Sequence, residues 1–461
     1  MTVHEGIVRA HWNHRHRLRQ SAAEAARGVF NPHHSVRAFR ITGPLDLTAL
    51  DRAWRGLQRR HPVLLTSFGP HHGRDGGDGL WRLTGAEPAG LTRLSAPGGE
   101  AGPALRRAAA EPFDVANGPL ARLITVRVEG GEGERSGEPA APTPESLVAL
   151  VVEHLVTDGW SAGVLLRDLR ALYAAEVGAP DGPLPVVEQD FAEFTARQHA
   201  YLDSPAGQRL RGLLAGRPAG GSPVPDTPLK GFTGRLPVRH ERNRWLDRTL
   251  DAADYDRLLP LARATRTTRF TLVLAAVHAA LADLSGRREV ATTMTVANRA
   301  HPSLRHSVGW FASKVVVASE PGGWSDPLRH LDALRAAVAA GLDASRVPWP
   351  AQIHDHRPEL FGTQAATPFL SFNAQPERMR EGHGDLFAGA RADPVPLRLG
   401  WQDAALATQW QERGPQGLGM AVNYKTDWYT GTDVAALWDA VTGHLERLAR
   451  IPVPSGRAGR T

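Results

Sequence analysis

The residues whose types and spacing could do chemistry are His154, Asp158 and Gly159, within the stretch SLVALVVEHLVTDGWSAGVLLRDLRALY, residues 146–173. An imidazole titrates near neutral pH, so a positioned His154 can take a proton from an amine or hydroxyl as that group attacks a carbonyl. Asp158 is either the direct partner of that imidazole or a lock on the turn through an ion pair elsewhere, and spacing alone leaves both open. The elements that must hold these groups are legible on either side. Residues 146–153 form a short apolar run rich in Val and Leu, which reads as an interior strand. From Trp160 the period changes: Val164, Leu165, Leu169, Leu172 and Tyr173 recur at helical spacing. His154 therefore sits at a strand end before a tight turn, where a rigid scaffold fixes a side chain and the turn leaves it reachable. His71, Asp75 and Gly76 repeat the same string in PHHGRDGGDG, a polar Gly-rich segment that reads as a surface loop.

A chain of 461 residues, 42% of them hydrophobic, is long enough for two cores. It has no cysteine, which excludes disulfides, thiolate metal sites and cysteine nucleophiles. The start, MTVHEGIVRAHWNHRHRLRQ, has no signal-type apolar core, and no aliphatic run reaches a membrane span, so a soluble cytoplasmic protein is the expectation. The net charge of +6 is mostly scattered arginine. Arg9, Arg15, Arg17 and Arg19, with His11, His14 and His16, form one basic cluster that suits an acidic protein partner better than nucleic acid, because no reading motif with interleaved aromatics accompanies it. The paired histidines His33-His34 and His71-His72, and His354 with His356, lack a partner set and read as surface residues, so no metal site is expected.

Both halves mix helices and strands. In the first, residues 47–60 read as a helix with Leu50, Trp54 and Leu57 on one face, RAFRITG as a strand before it and RLITVRV, residues 122–128, as a strand after. In the second, residues 269–286 read as an apolar helix ending at Gly286, followed by a strand over 288–299. SVGWFASKVVVAS and TPFLSFNAQ read as further strands, and DVAALWDAVTGHLERLA as a terminal amphipathic helix. Residues 129–145 read as an exposed insertion. The Gly- and Pro-dense stretch 204–239 reads as a linker, which divides the chain into residues 1–205, a linker at 206–240 and residues 241–461.

Taken in order, these segments resemble the condensation-domain superfamily of nonribosomal peptide synthesis, whose signature is two histidines, three variable residues, then Asp-Gly. The segment here is Glu153-His154-Leu-Val-Thr-Asp158-Gly159-Trp160-Ser161, with Glu153 in place of the first histidine. RRHPVLLTSF (59–68), EPFDVANGPLARL (111–123), QDFAEFTARQ (189–198), VANR (296–299) and VGWFASKVVV resemble further blocks of that family, spread over residues 35–450. The block nearest the N-terminus is poorly matched, and Leu65 stands where an arginine is expected.

The resemblance implies an α/β fold of two chloramphenicol-acetyltransferase-like subdomains arranged as a V-shaped pseudo-dimer, with the histidine in a tunnel between them. It implies that His154 promotes attack on a thioester carbonyl and that Asp158 forms a structural ion pair, for which Arg299 is the expected partner. A backbone donor near Gly159 would then stabilise the oxyanion, and Trp160, Ser161 and Asn373 would line the tunnel. No cofactor is permanently bound in this reading; a phosphopantetheine thioester arrives on an acyl- or peptidyl-carrier protein, and the acceptor is a small or carrier-bound amine or alcohol. With no carrier serine motif and no adenylation block in the sequence, the chain is expected to be free-standing and monomeric. Strand alternation turns Glu153 away from the face that His154 presents, so its replacement leaves that face intact. Two rivals stand beside this reading. One is a CoA-dependent acyltransferase of the same superfamily, whose Asp-Phe-Gly-Trp-Gly block survives only as Gly400-Trp401. The other is a non-catalytic condensation-like recruitment module.

Overall fold

A computed structural model describes residues 7–26, 28, 32–69, 80–83, 87–129, 145–179, 182–216, 223–226, 228–229, 243–322, 326–363, 369–375, 386–399 and 404–452. The chain begins β1 (Ile7–Arg9), α1 (Trp12–Ala26), β2 (His34–Thr42), α2 (Leu47–Arg60), β3 (Thr66–Gly69), β4 (Leu80–Leu83), β5 (Thr92–Pro97) and α3 (Gly98–Ala110). It continues β6 (Ala121–Glu129), β7 (Glu145–Glu153), α4 (Gly159–Glu176), α5 (Phe191–Asp203), α6 (Pro205–Ala215), β8 (Asn243–Leu250), α7 (Ala252–Asp256), α8 (Leu259–Ala264) and α9 (Arg269–Ser285). The remainder is β9 (Val290–Val296), β10 (Ser313–Ser319), α10 (Pro327–Ala344), α11 (Trp349–His356), β11 (Leu370–Gln375), β12 (Arg391–Val395), β13 (Leu406–Glu412), β14 (Leu418–Lys425) and α12 (Gly431–Ala449).

Two mixed sheets organise these elements. One has the order β12-β2-β7-β6-β5, the other β10-β9-β11-β13-β14-β8, and β1, β4 and β3 make a small third sheet. β7 lies at the centre of the first, antiparallel to β2 and β6, and from Leu147 to Glu153 every residue is buried. That two-sided burial explains its unbroken apolar run. α2 and α4 pack on each other over this sheet through Leu50, Trp54, Leu57, Leu165 and Leu169. Over the second sheet α9 packs on α12, and α9 stops where Gly286 takes φ 71, a left-handed cap that glycine adopts without strain.

The helices expected over 47–60 and 269–286 and the strands expected after them are present. Two readings of secondary structure differ from the structure. The stretch expected to be a linker opens with α6, capped by Ser204 and burying Leu214; Gly and Pro density hid a helix whose Pro205 occupies a first-turn position, where proline is tolerated. The SVGWFA part of the expected strand at 307–312 precedes β10 and is irregular. The insertion at 130–144, the loop with His71 and His72, and Gly400-Trp401 lie outside the described residues.

The two sheets are stitched together by chain that crosses between them. β12, late in the sequence, pairs antiparallel with β2 of the first sheet. Leu304, Val308 and Phe311, just before β10 of the second sheet, are buried in the first core. The junction formed by these crossings carries the residues singled out from the sequence.

Candidate active site

Asp158 caps α4, accepting from Ser161 N at 2.8 Å on Oδ1. Oδ1 also accepts from Arg299 Nη2 at 3.0 Å, while Oδ2 accepts from the backbone N–H of Phe311 and of Ala312, each at 3.0 Å. Four donors therefore occupy the carboxylate, and none of these four is His154. Both side chains of the Asp158–Arg299 pair are almost fully buried. Asn298, two residues past the end of β9 and next to Arg299, takes φ 54, a left-handed conformation that asparagine tolerates. The guanidinium lies 4.0 Å over the Phe311 ring. Ser161 completes the knot: its Oγ donates to Gly309 O at 2.9 Å and is contacted by Arg299 Nη2 at 2.6 Å. Trp160 is half-buried, and its Nε1 donates to Arg305 O at 2.9 Å. These bonds tie the start of α4, on the first half, to residues 299–312 of the second.

His154 begins a single 3-10 turn between β7 and that capped helix. Its backbone N–H donates to His33 O at 2.9 Å, so the residue is pinned to the chain entering β2. The side chain is half-buried. The His33 ring stacks on it with centroids 4.5 Å apart and planes 6° from parallel, and the Trp310 ring meets it edge-on at 4.8 Å. The next turn residue is held from the other side, His14 Nε2 donating to Leu155 O at 2.8 Å. Gly159 opens α4, and no atom lies within 4 Å of where a side chain there would project. Its backbone is at a helix N-terminus, where amide dipoles favour developing negative charge. Asn373 lies half-buried on β11 of the second sheet, opposite Gln409 of β13.

Glu153 and His154 face opposite ways. In the β2–β7 ladder Glu153 stands directly across from His34, and such partners share a face. Glu153 Oε2 lies 3.4 Å from His34 Nε2, and burial drives both groups toward neutrality: the carboxyl is pushed up to about 7 and the imidazole down to about 4. His34 Nδ1 faces Ala109 O at 2.9 Å, and a carbonyl only accepts, so the ring proton sits on Nδ1. The two are therefore adjacent buried groups, each driven by burial toward its uncharged form.

His33 and His34 are therefore buried beside the site, which corrects their reading as surface residues; a His-His pair just before a strand carries no local mark of what the strand will pair with. The N-terminal basic cluster is likewise no surface patch. α1 buries Trp12, Asn13, His14, Arg17, Gln20 and Glu24, with Arg17 Nη1 3.2 Å from Glu24 Oε2 in the interior. Composition alone could not separate a basic surface from a buried polar helix. His354 is half-buried against Trp12 and Phe361, with ring centroids 5.2 Å from each. In the block at 59–68, Arg60 Nε and His61 Nε2 donate to buried Asp168 Oδ2 at 2.7 and 2.8 Å, joining the end of α2 to α4.

The family model for the condensation domain matches residues 31–453. The phosphinothricin tripeptide synthetase PhsC of Streptomyces viridochromogenes is 32% identical over 349 residues, 73% of this chain and 30% of that protein. A probable non-canonical nonribosomal peptide synthetase, CymA, of Salinispora arenicola is 28% identical over 92% of this chain and 5% of its own length. The chain thus spans less than a third of these relatives. Among solved structures, the X-domain from teicoplanin biosynthesis superposes with a TM-score of 0.78 at 20% identity, covering 98% of this chain and 97% of that one. The condensation domain of the Monacolin K polyketide synthase MokA superposes at 0.77 and 17% identity, covering 97% and 98%. The two-sheet α/β architecture is thus the one expected from the resemblance, and the match across nearly the whole sequence establishes that this chain belongs to the condensation-domain family.

Proposed function

We propose that the chain is an acyl-transferring condensation enzyme that joins a carrier-tethered acyl or aminoacyl thioester to an amine or alcohol, with the carrier protein acting in trans. The observation that carries this reading is the mounting of His154: a half-buried imidazole pinned by its backbone to His33, stacked on one ring and edged by another, one turn before a buried, fully bonded helix cap. In this reaction His154 accepts the proton of the amine or hydroxyl as that atom bonds to the thioester carbon. The carbonyl oxygen takes the negative charge, with a backbone N–H near Gly159 as its donor. Collapse of the intermediate re-forms the carbonyl and breaks the C–S bond, and the departing thiolate takes the proton back from His154. No further co-reactant is required, because the thioester supplies the driving force and alignment supplies much of the rate.

A second reading is favoured by one observation, the fold similarity to the teicoplanin X-domain, for which a complex with OxyB is also among the matches. In that reading the chain recruits a protein partner and leaves the imidazole idle. The two separate in one experiment. The purified chain is incubated with an acceptor amine and, in turn, acyl-loaded carrier protein, the same acyl group on CoA, and no donor, and product is followed by mass spectrometry. The proposal expects product with the loaded carrier only. Product from acyl-CoA alone supports the CoA-dependent rival, and no product from either donor across a panel of acceptors supports recruitment.

A further inference from the structure

We propose that His33 is a positioning residue: its imidazole, laid face to face on that of His154, fixes the plane in which His154 meets the proton it accepts. The inference rests on the role of His154 in the proposed reaction. His33 is 7% exposed, so its ring is itself held by the protein. The two imidazoles are 6° from coplanar at 4.5 Å. Trp310 closes the arrangement from the side, 4.8 Å from the His154 ring and 5.6 Å from that of His33, at 68° and 74° to them. Those three separations put the indole beside the stack rather than across it, so rotation of either imidazole about its Cβ–Cγ bond runs into the indole or breaks the stack.

The supports of this arrangement are independent of one another. His33 comes from the chain entering β2, His154 from the end of β7, and Trp310 from the segment whose next two amides bind Asp158. The backbone bond from His154 N to His33 O survives any change of side chain at position 33, so the ring has a task separable from the backbone. Burial, followed by the proximity of His154, holds the His33 imidazole well below its usual range, which keeps it neutral and out of competition for the transferred proton. A neutral planar ring is what a stacking support requires.

The test compares His33→Ala, which removes the ring, with His33→Phe, which keeps a planar face and removes the nitrogens. Two quantities are read: kcat and KM with loaded carrier, and the Cε1–H signal of His154 in 13C-histidine-labelled protein, assigned by its loss in His154→Ala. His33→Ala is expected to lower kcat about 10- to 100-fold with KM nearly unchanged, the scale of a small misplacement of a reacting group, and to broaden or split the His154 signal. His33→Phe is expected to recover most of kcat and a single sharp signal. Wild-type kcat and an unaltered signal in folded His33→Ala would overturn the proposal, as would a folded His33→Phe no better than His33→Ala. Where His33→Ala fails to fold, His33→Phe decides alone by the same two readings. If His154→Ala turns over like the wild type, the reaction assigned to the site falls, while the signal comparison still decides whether His33 orders the ring.

Discussion

At position 153 a carboxyl is buried against an imidazole and keeps its proton to about pH 7. An unfolded glutamate releases that proton near 4.5. Between those values the folded state binds more protons than the unfolded one, so raising the pH favours unfolding, and stability present below 4.5 is lost as pH passes through 7. Glutamine copies the protonated carboxyl and does not titrate. Glu153→Gln is therefore expected to gain stability relative to the wild type as pH rises from 5 to 8, by up to about 3 kcal/mol at the upper end, read from denaturant melts at each pH. Turnover should change little, because Glu153 faces His34 and not the reacting side. Strand alternation, carried one residue past the end of β7 to His154, gives that orientation from the sequence. The role of His33 and His34 was not legible, because their contacts come from strand register between segments far apart in the chain. Trp310 stayed hidden for the same reason: it lies inside a block that resembles the family, and only the fold brings it against His154.

The element that holds the turn rigid is α4, through its cap. Asp158 serves at once as helix cap, ion-pair partner and acceptor for two amides of the opposite half. Arg299→Ala leaves that carboxylate with a buried, partly unmatched charge and should cost about 3–5 kcal/mol of stability. In a double-mutant cycle with Asp158→Asn, the two losses should fall well short of additivity, because both report the same contact. Gly309→Ala offers a steric check on the same junction. A Cβ there would collide with the Phe191 ring, so the variant should lower the melting temperature while leaving the far sheet's core, around α9 and α12, intact. Helix and strand periodicity made most of these elements legible. α6 was missed because its sequence is flanked by Gly and Pro, and α1 was misjudged because a helix buried between other elements needs no clean apolar face when its polar groups find partners inside.

Across the molecule, buried imidazoles set the response to acid. Burial holds His14 and His278 near 3 and His34 and His199 near 4, against 6.5 for a free histidine. Unfolding lets each take up a proton that the folded state refuses, so their contribution to stability is complete above 6.5 and is lost as pH falls from 6.5 toward the folded values, at about 1.4 kcal/mol per group per pH unit. The melting temperature should therefore drop steeply between pH 6.5 and 5, with Glu153 opposing as a single group. Two of these histidines, His14 and His34, adjoin the candidate site, so acid should loosen the junction along with the whole. The most direct measurement of the central claim, that His154 takes the proton of the attacking nucleophile, is product formation from loaded carrier protein by His154→Ala compared with the wild type at equal folded concentration. The expected result is loss of product with an unchanged melting profile and unchanged binding of the loaded carrier. Equal rates in the two proteins would contradict it.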